Sequence, residues 1–142
     1  MSLTRPMPRA DALTQGFWDA TAEGRLAIQR CAACRTFQHP PRKICQECGH
    51  LEVAFENVSG RGRLWSWTTT HHNIVAGFEE ALPYQCLLIE LDEQKGLFVL
   101  SDLADRSIEA ELKLGMKMRV VFSEPLANGA VLPQFEPDGE GA

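Results

Sequence analysis

The chain has 142 residues, a formal net charge of −5 and 44% hydrophobic residues. That is enough apolar material for a compact core in one domain or two very small ones, and it excludes disorder of the whole chain. The opening MSLTRPMPRADALTQGFW lacks the apolar run of a signal peptide, and later runs such as CLLIE and LFVL are far too short to span a bilayer. A cytoplasmic protein is therefore expected.

After a Pro-punctuated start, DALTQGFWDATAEGRL places Leu13, Phe17 and Ala20 at helical spacing, with Gly24 as a stop and Gly16 as a weak point. RLAIQRC follows, with Leu26, Ile28 and Arg30 alternating against Arg25, Ala27 and Gln29, which predicts a short strand. CAACRTFQHPPRKICQEC then holds four of the five cysteines as two CxxC pairs. In a reducing compartment such pairs point to a metal rather than to disulfides. Cys31, Cys34, Cys45 and Cys48 suit a tetrahedral zinc ion with every position filled, hence a structural site; iron or a redox dithiol are the alternatives. His39 and His50 lie nearby and are read as solvent-exposed or hydrogen-bonding loop residues. After Gly49, LEVAFEN alternates with Leu51, Val53 and Phe55 on one face, completing a small antiparallel unit around the metal.

From Gly60 onward, RLWSWTTTHH, YQCLLIELD, GLFVLSDL, MKMRVVFSE and AVLPQF are five β-rich runs separated by turn signals. ADRSIEAELKLG between the third and fourth predicts a short helix or turn. Five strands in so short a span predict an OB-like barrel. Trp65 and Trp67 are expected on one face, where they suit base stacking or, better, packing. Cys86 reads as a small buried hydrophobe. The sequence His71, His72, Asn73 ends the first barrel strand and opens a loop, a common location for binding residues. The tail EPDGEGA looks frayed.

Charge is uneven. Residues 1–71 carry nine Lys/Arg against six Asp/Glu, whereas residues 72–142 carry five against thirteen. Zinc ribbons and OB folds both serve in nucleic-acid binding, but a pI near 5.3 and the acidic second half count against that use. No nucleophile and base stand at a diagnostic spacing, and a closed zinc site removes the commonest metal route to chemistry. An independent enzyme acting on thioesters is thus the least favoured class.

The order of an FW-containing helix, CAAC, HPPR, CQECG, SGRGRLWSWT, a Pro-Tyr strand start and LKLGMKMRVVF resembles the zinc-ribbon plus OB-fold acyl-CoA-associated proteins, once catalogued as domain of unknown function thirty-five. The resemblance runs from about Phe17 to Phe135. It implies a mainly β chain made of an N-terminal helical segment (1–25), a rubredoxin-like zinc ribbon (26–58), a five-stranded OB-fold domain (59–137) and a flexible tail (138–142). By it, Cys31, Cys34, Cys45 and Cys48 are the zinc ligands. Phe17 and Trp18 match an aromatic pair that meets an acyl chain or a partner. Pro40, Pro41 and Arg42 match a Pro-Pro-Arg segment, while His39 stands where an aromatic or apolar residue is usual. The resemblance also implies a non-catalytic, acyl-CoA-binding subunit in a hetero-oligomer with a thiolase-fold enzyme, a thiolase or aldolase of lipid or sterol side-chain breakdown, with a hot-dog-fold hydratase as a further associate. Arg30, Arg35, Arg42, Lys43, Arg61 or Arg63 are the expected contacts to CoA phosphates or to the partner, and His71 is a further candidate for ligand or partner binding.

Overall fold

The computed structural model describes residues 5–72 and 75–139, so Asn73 and the last three residues of the expected tail lie outside the described residues. The first regular element is α1 (Gln15–Ala22). It begins four residues later than the apolar spacing suggests because Asp11 folds the preceding residues into a turn. Its carboxylate accepts from the N–H groups of Leu13 and Thr14, both at 2.9 Å. Gly16 has a packing reason: a Cβ there would strike the ring of Phe55. The glycine lets the helix lie directly on the sheet behind it.

That sheet has three antiparallel strands, β1 (Ala27–Cys31), β2 (Phe37–Gln38) and β3 (Val53–Asn57), in the order β2-β1-β3. β1 is the central strand. Leu26, Ala27, Ile28 and Gln29 are all buried, so the alternation expected for a half-exposed strand is lost between the helix on one side and the cysteine loops on the other.

The remaining strands are β4 (Arg61–Thr70), β5 (Tyr84–Leu91), β6 (Phe98–Leu103), β7 (Lys117–Phe122) and β8 (Pro133–Pro137), one for each β-rich run of the sequence. They close into a barrel in the order β4-β5-β6-β8-β7, with β7 returning to β4. The OB-like topology follows, and a 3₁₀ turn (Arg106–Glu111) lies between the third and fourth barrel strands. Leu64, Leu87, Ile89, Leu91, Val99, Leu103, Met118 and Phe135 fill the interior.

Two expectations about barrel faces are overturned. A β-bulge between Leu64 and Ser66 adds a residue to β4. Trp67 therefore pairs with buried Leu87 and packs against the core, while Trp65 turns outward and is 55% exposed. One extra residue is enough to put the two tryptophans on opposite faces. Cys86 is likewise exposed, since Gln85, Leu87, Ile89 and Leu91 take the inward positions of β5.

The β5–β6 hairpin turn fixes the ribbon to the barrel. Gln94 accepts from the N–H of Phe37 and donates to its carbonyl, both at 2.9 Å, so the side-chain amide extends the sheet beyond β2. Glu93 accepts from the N–H of Ser59 in the connection between the two units. The hairpin thus sets how the ribbon leans on the barrel and the width of the gap beside it.

Candidate functional site

The two CxxC segments adopt the same local fold. Cys31 ends β1; the N–H groups of Ala33 and Cys34 point at its sulfur at 3.3 and 3.5 Å, and Arg35 N–H donates to its carbonyl at 3.1 Å. Gly49 N–H donates to the carbonyl of Cys45 in the same way at 3.0 Å. Each turn closes on a residue in the left-handed region, Arg35 at φ 64° and Gly49 at φ 77°. Glycine accepts that conformation without cost, whereas at Arg35 the side chain is retained and ion-pairs with Glu56 at 2.7 Å. Arg30 joins the same carboxylate at 3.1 Å, and the two guanidinium groups hold it below the usual carboxylate range.

The four sulfurs lie within 4.8 Å of one another, with Cys31–Cys48 and Cys34–Cys45 at 3.6 Å. Sulfurs at about 2.3 Å from a tetrahedral zinc are about 3.8 Å apart, so the cluster has the size the ion needs. Hydrogen bonding with Thr36 brings the Cys34 thiol down to about 6, while burial and the three other sulfurs push the Cys48 thiol up to about 11, so the ligand set is not uniformly thiolate without a cation. A closed sulfur shell supplies structure rather than a Lewis-acid position.

Gln29 is a residue that the sequence reading passed over. It is 3% exposed, and its carbonyl accepts from the side chain of Gln38 and from Arg42 N–H. Gln38 in turn reaches Ile44 O and Gln46 N–H. These two amides hold residues 38–46 in place and so position the second cysteine pair. Polar residues on a predicted strand carry no signal of that role until the loop they hold is known.

A cleft of about 380 Å³ opens between α1, the His39-Pro40-Pro41 segment and the β6 and β8 strands. Its walls include Phe17, Trp18, His39, Pro40, Leu100, Asp102 and Leu132. Phe17 is mostly core, 7% exposed, with its ring edge-on to Trp18 at 5.1 Å. Trp18 is only partly buried and faces the cleft. The expectation of a solvent-exposed or loop-bonded His39 is overturned: its ring stacks obliquely on Phe17 at 5.4 Å, and its buried Nδ1 has no hydrogen-bond partner among the described residues. The imidazole here does the packing of an aromatic ring.

Burial lowers the His39 pKa below its ordinary value of 6.5, so the ring packs in its neutral form. The native state then binds fewer protons than the unfolded chain, and the resulting stability is complete above pH 6.5. It is lost as the pH falls from there through the folded-state value. Thermal melts of His39→Phe across pH 5 to 7.5 should show a shallower acid-side loss of Tm than the wild type. Parallel curves would remove the assignment.

The basic candidates are not brought together. Arg42 lines a second gap beside the ribbon, which also contains His39, Gln94 and Lys95, while Lys43 is exposed on the same loop. Arg61 lies 3.9 Å from the Asp138 carboxylate, and Arg63 donates to Gly115 O at 3.1 Å, both at the start of β4. His71 is exposed just beyond the other end of that strand, roughly 30 Å away along the chain at about 3.3 Å per residue.

With this geometry in hand, comparison with known proteins is decisive. Residues 18–53 match the ChsH2 rubredoxin-like zinc ribbon domain, and residues 56–123 match the ChsH2 C-terminal OB-fold domain. The solved structure described as Ltp2-ChsH2(DUF35) aldolase contains a chain 30% identical to this one, with a TM-score of 0.80 over 92% of this chain and 98% of that one. This chain belongs to the ChsH2/DUF35 family. A DUF35 domain-containing scaffold protein of Pyrococcus furiosus is 34% identical over 70% of this chain and 65% of its own length. A probable enoyl-CoA hydratase alpha subunit of Thermomonospora curvata is 37% identical over 94% of this chain but only 40% of its own length. The chain thus spans less than two thirds of these curated relatives. A DUF35 structure of unknown function from Sulfolobus solfataricus, 16% identical with a TM-score of 0.56, shares the fold alone. Among the described residues no helix is long and apolar enough to cross a membrane.

Proposed function

We propose that this ChsH2/DUF35 chain is a non-catalytic accessory subunit that binds acyl-CoA and completes a thiolase-fold enzyme, a thiolase or retro-aldolase of lipid or sterol side-chain degradation. The observation that carries the reading is the 30% identity and 0.80 TM-score to a chain solved within an Ltp2-ChsH2(DUF35) aldolase. The likeness to part of a probable enoyl-CoA hydratase alpha subunit supports work on CoA thioesters and leaves a hydratase as a further associate. In this reading the zinc ribbon is a rigid wall. The apolar cleft beside it takes the acyl group against Trp18 and Leu132, and Arg42 with Lys43 meets the phosphates at the ribbon surface. Residues that bind and orient the thioester would belong to this chain, and those that make or break the carbon–carbon bond to its partner.

Calorimetric titration of a medium-chain acyl-CoA and of free CoA tests the cleft. The acyl-CoA should bind more tightly than CoA, and Trp18→Ala should weaken it about tenfold by removing an aromatic wall. Equal affinity for acyl-CoA and CoA, or an unchanged Trp18→Ala affinity with a lowered Tm, would make Trp18 a packing residue only.

A further inference from the structure

Two buried polar atoms of the acyl cleft lack partners. Among the described residues four buried side-chain nitrogens or oxygens make no hydrogen bond, and two of them, Asp102 Oδ1 and His39 Nδ1, belong to residues that line this one cleft. An unpaired polar atom away from water is costly, so such atoms are uncommon and call for a partner. The cleft's own hydroxyl groups do not supply one. Ser101 Oγ donates to the carbonyl of Pro133 at 2.8 Å, and Thr14 Oγ1 donates to Asp11 Oδ1 at 3.1 Å. Apolar walls from Phe17, Trp18, Pro40, Leu100 and Leu132 surround the rest of the cleft.

Asp102 serves two spaces. It pairs with Gln134 across the β6–β8 contact, and besides the cleft it lines a separate gap together with Gln134 and Arg106. Its Oδ2 is engaged there, accepting from Gln134 Nε2 at 3.2 Å and lying 3.8 Å from the Arg106 guanidinium. Neither Gln134 nor Arg106 lines the cleft, so Oδ1 is the oxygen left for it. With its side chain 29% exposed, the carboxylate has room to turn about its last torsion and offer that oxygen to a bound molecule. A carboxylate oxygen only accepts, so what meets it must donate. A keto oxygen would face it acceptor to acceptor, and a saturated chain would leave it unpaired. The apolar walls favour a neutral donor over an ammonium group. We propose that Asp102 is a specificity residue of the cleft, its carboxylate accepting from a hydroxyl on the bound acyl chain with His39 Nδ1 as the second polar contact, so that the site selects hydroxyacyl thioesters over saturated and keto ones. This rests on the acyl-CoA reading of the cleft and adds which acyl groups it takes.

The test is calorimetric titration of the full chain with β-hydroxydecanoyl-CoA, decanoyl-CoA and β-ketodecanoyl-CoA. The hydroxyacyl-CoA should bind about tenfold more tightly than either of the others, the preference expected of one hydrogen bond to a charged group. Asp102→Ala should bring the three affinities together. Asp102→Asn, which keeps the side chain's shape and an oxygen for Gln134, should lose most of the preference and decides the matter if the alanine variant does not fold. Equal affinity of the wild type for all three thioesters would overturn the subsite and leave the acyl-CoA reading standing. A wild-type chain that binds none of them would remove that reading and the subsite with it. Variants that keep the hydroxyacyl preference, or that lose all three affinities in parallel, would make Asp102 a structural residue and overturn its assignment.

Discussion

Replacing Cys45 with Ser, or stripping the metal with a chelator at neutral pH, should unfold the ribbon and leave the barrel standing. The two units are unequal in what holds them together. The barrel buries eight large apolar residues in one interior, among them Phe135, Leu64, Leu87 and Met118 at 0% exposure. From Cys31 to Glu52 the buried apolar residues are Phe37, Pro41 and the two cysteines Cys31 and Cys45, and β2 is only two residues long. Such a segment cannot offset its own chain entropy by burial. Structural zinc contributes about 10–16 kcal/mol of apparent binding free energy in small zinc-binding peptides, which is the order of a whole domain's stability. Hydrogen exchange should locate the loss. Amides of Cys31, Cys45 and Gly49, which donate to Thr36, His50 and Cys45 carbonyls, should become fast, while those of β5 and β7 stay protected. Cys86→Ser, at an exposed position outside the cluster, should behave as the wild type. A metal-free protein that keeps ribbon protection would show that the four sulfurs are not what holds this unit.

How much of this was legible in the sequence follows from the range of each interaction. The CxxC pairs were, because a metal site is written in ligand type and spacing, and the local turns that shape it span only five residues. The barrel was, because each strand has its own β-rich run and turn signals. Face assignment was not. In YQCLLIEL apolar residues occupy both phases of the alternation, so pairing with β4 and β6, rather than local pattern, decides that Gln85 points in and Cys86 out. The β4 bulge is likewise invisible in RLWSWTTT, yet it separates Trp65 from Trp67 and creates the outward aromatic pair with Phe98. His39 was misplaced for a related reason. Its environment comes from Phe17, 22 positions earlier in the chain, and from β6 and β8, far beyond it. The cleft as a whole is assembled from four separate stretches and has no sequence signature of its own.

The other large effect concerns catalysis by the complex. Among the described residues the cleft holds Asp102 and His39, one hydrogen-bonded by Gln134 at 3.2 Å and 3.8 Å from Arg106, the other packed on Phe17. Neither is paired with a nucleophile; Cys86, the cysteine outside the cluster, is not among the cleft's lining residues. Under the proposed function, carbon–carbon bond chemistry belongs to the partner and this chain supplies position. Correct placement of a bound substrate is worth several orders of magnitude in rate, and a displacement of about 1 Å costs on the order of a hundredfold. Omitting this subunit should accordingly reduce the partner's turnover of a β-hydroxyacyl-CoA or β-ketoacyl-CoA by at least a hundredfold.

The most direct measurement of the accessory-subunit account is a steady-state acyl-CoA cleavage assay on the co-expressed complex, repeated with each subunit omitted. The account predicts co-elution of the two chains in size-exclusion chromatography, turnover by the complex, none by this chain alone, and at least a hundredfold less by the partner alone. A partner that is soluble and fully active without this chain, with no co-elution at micromolar concentration, would contradict it.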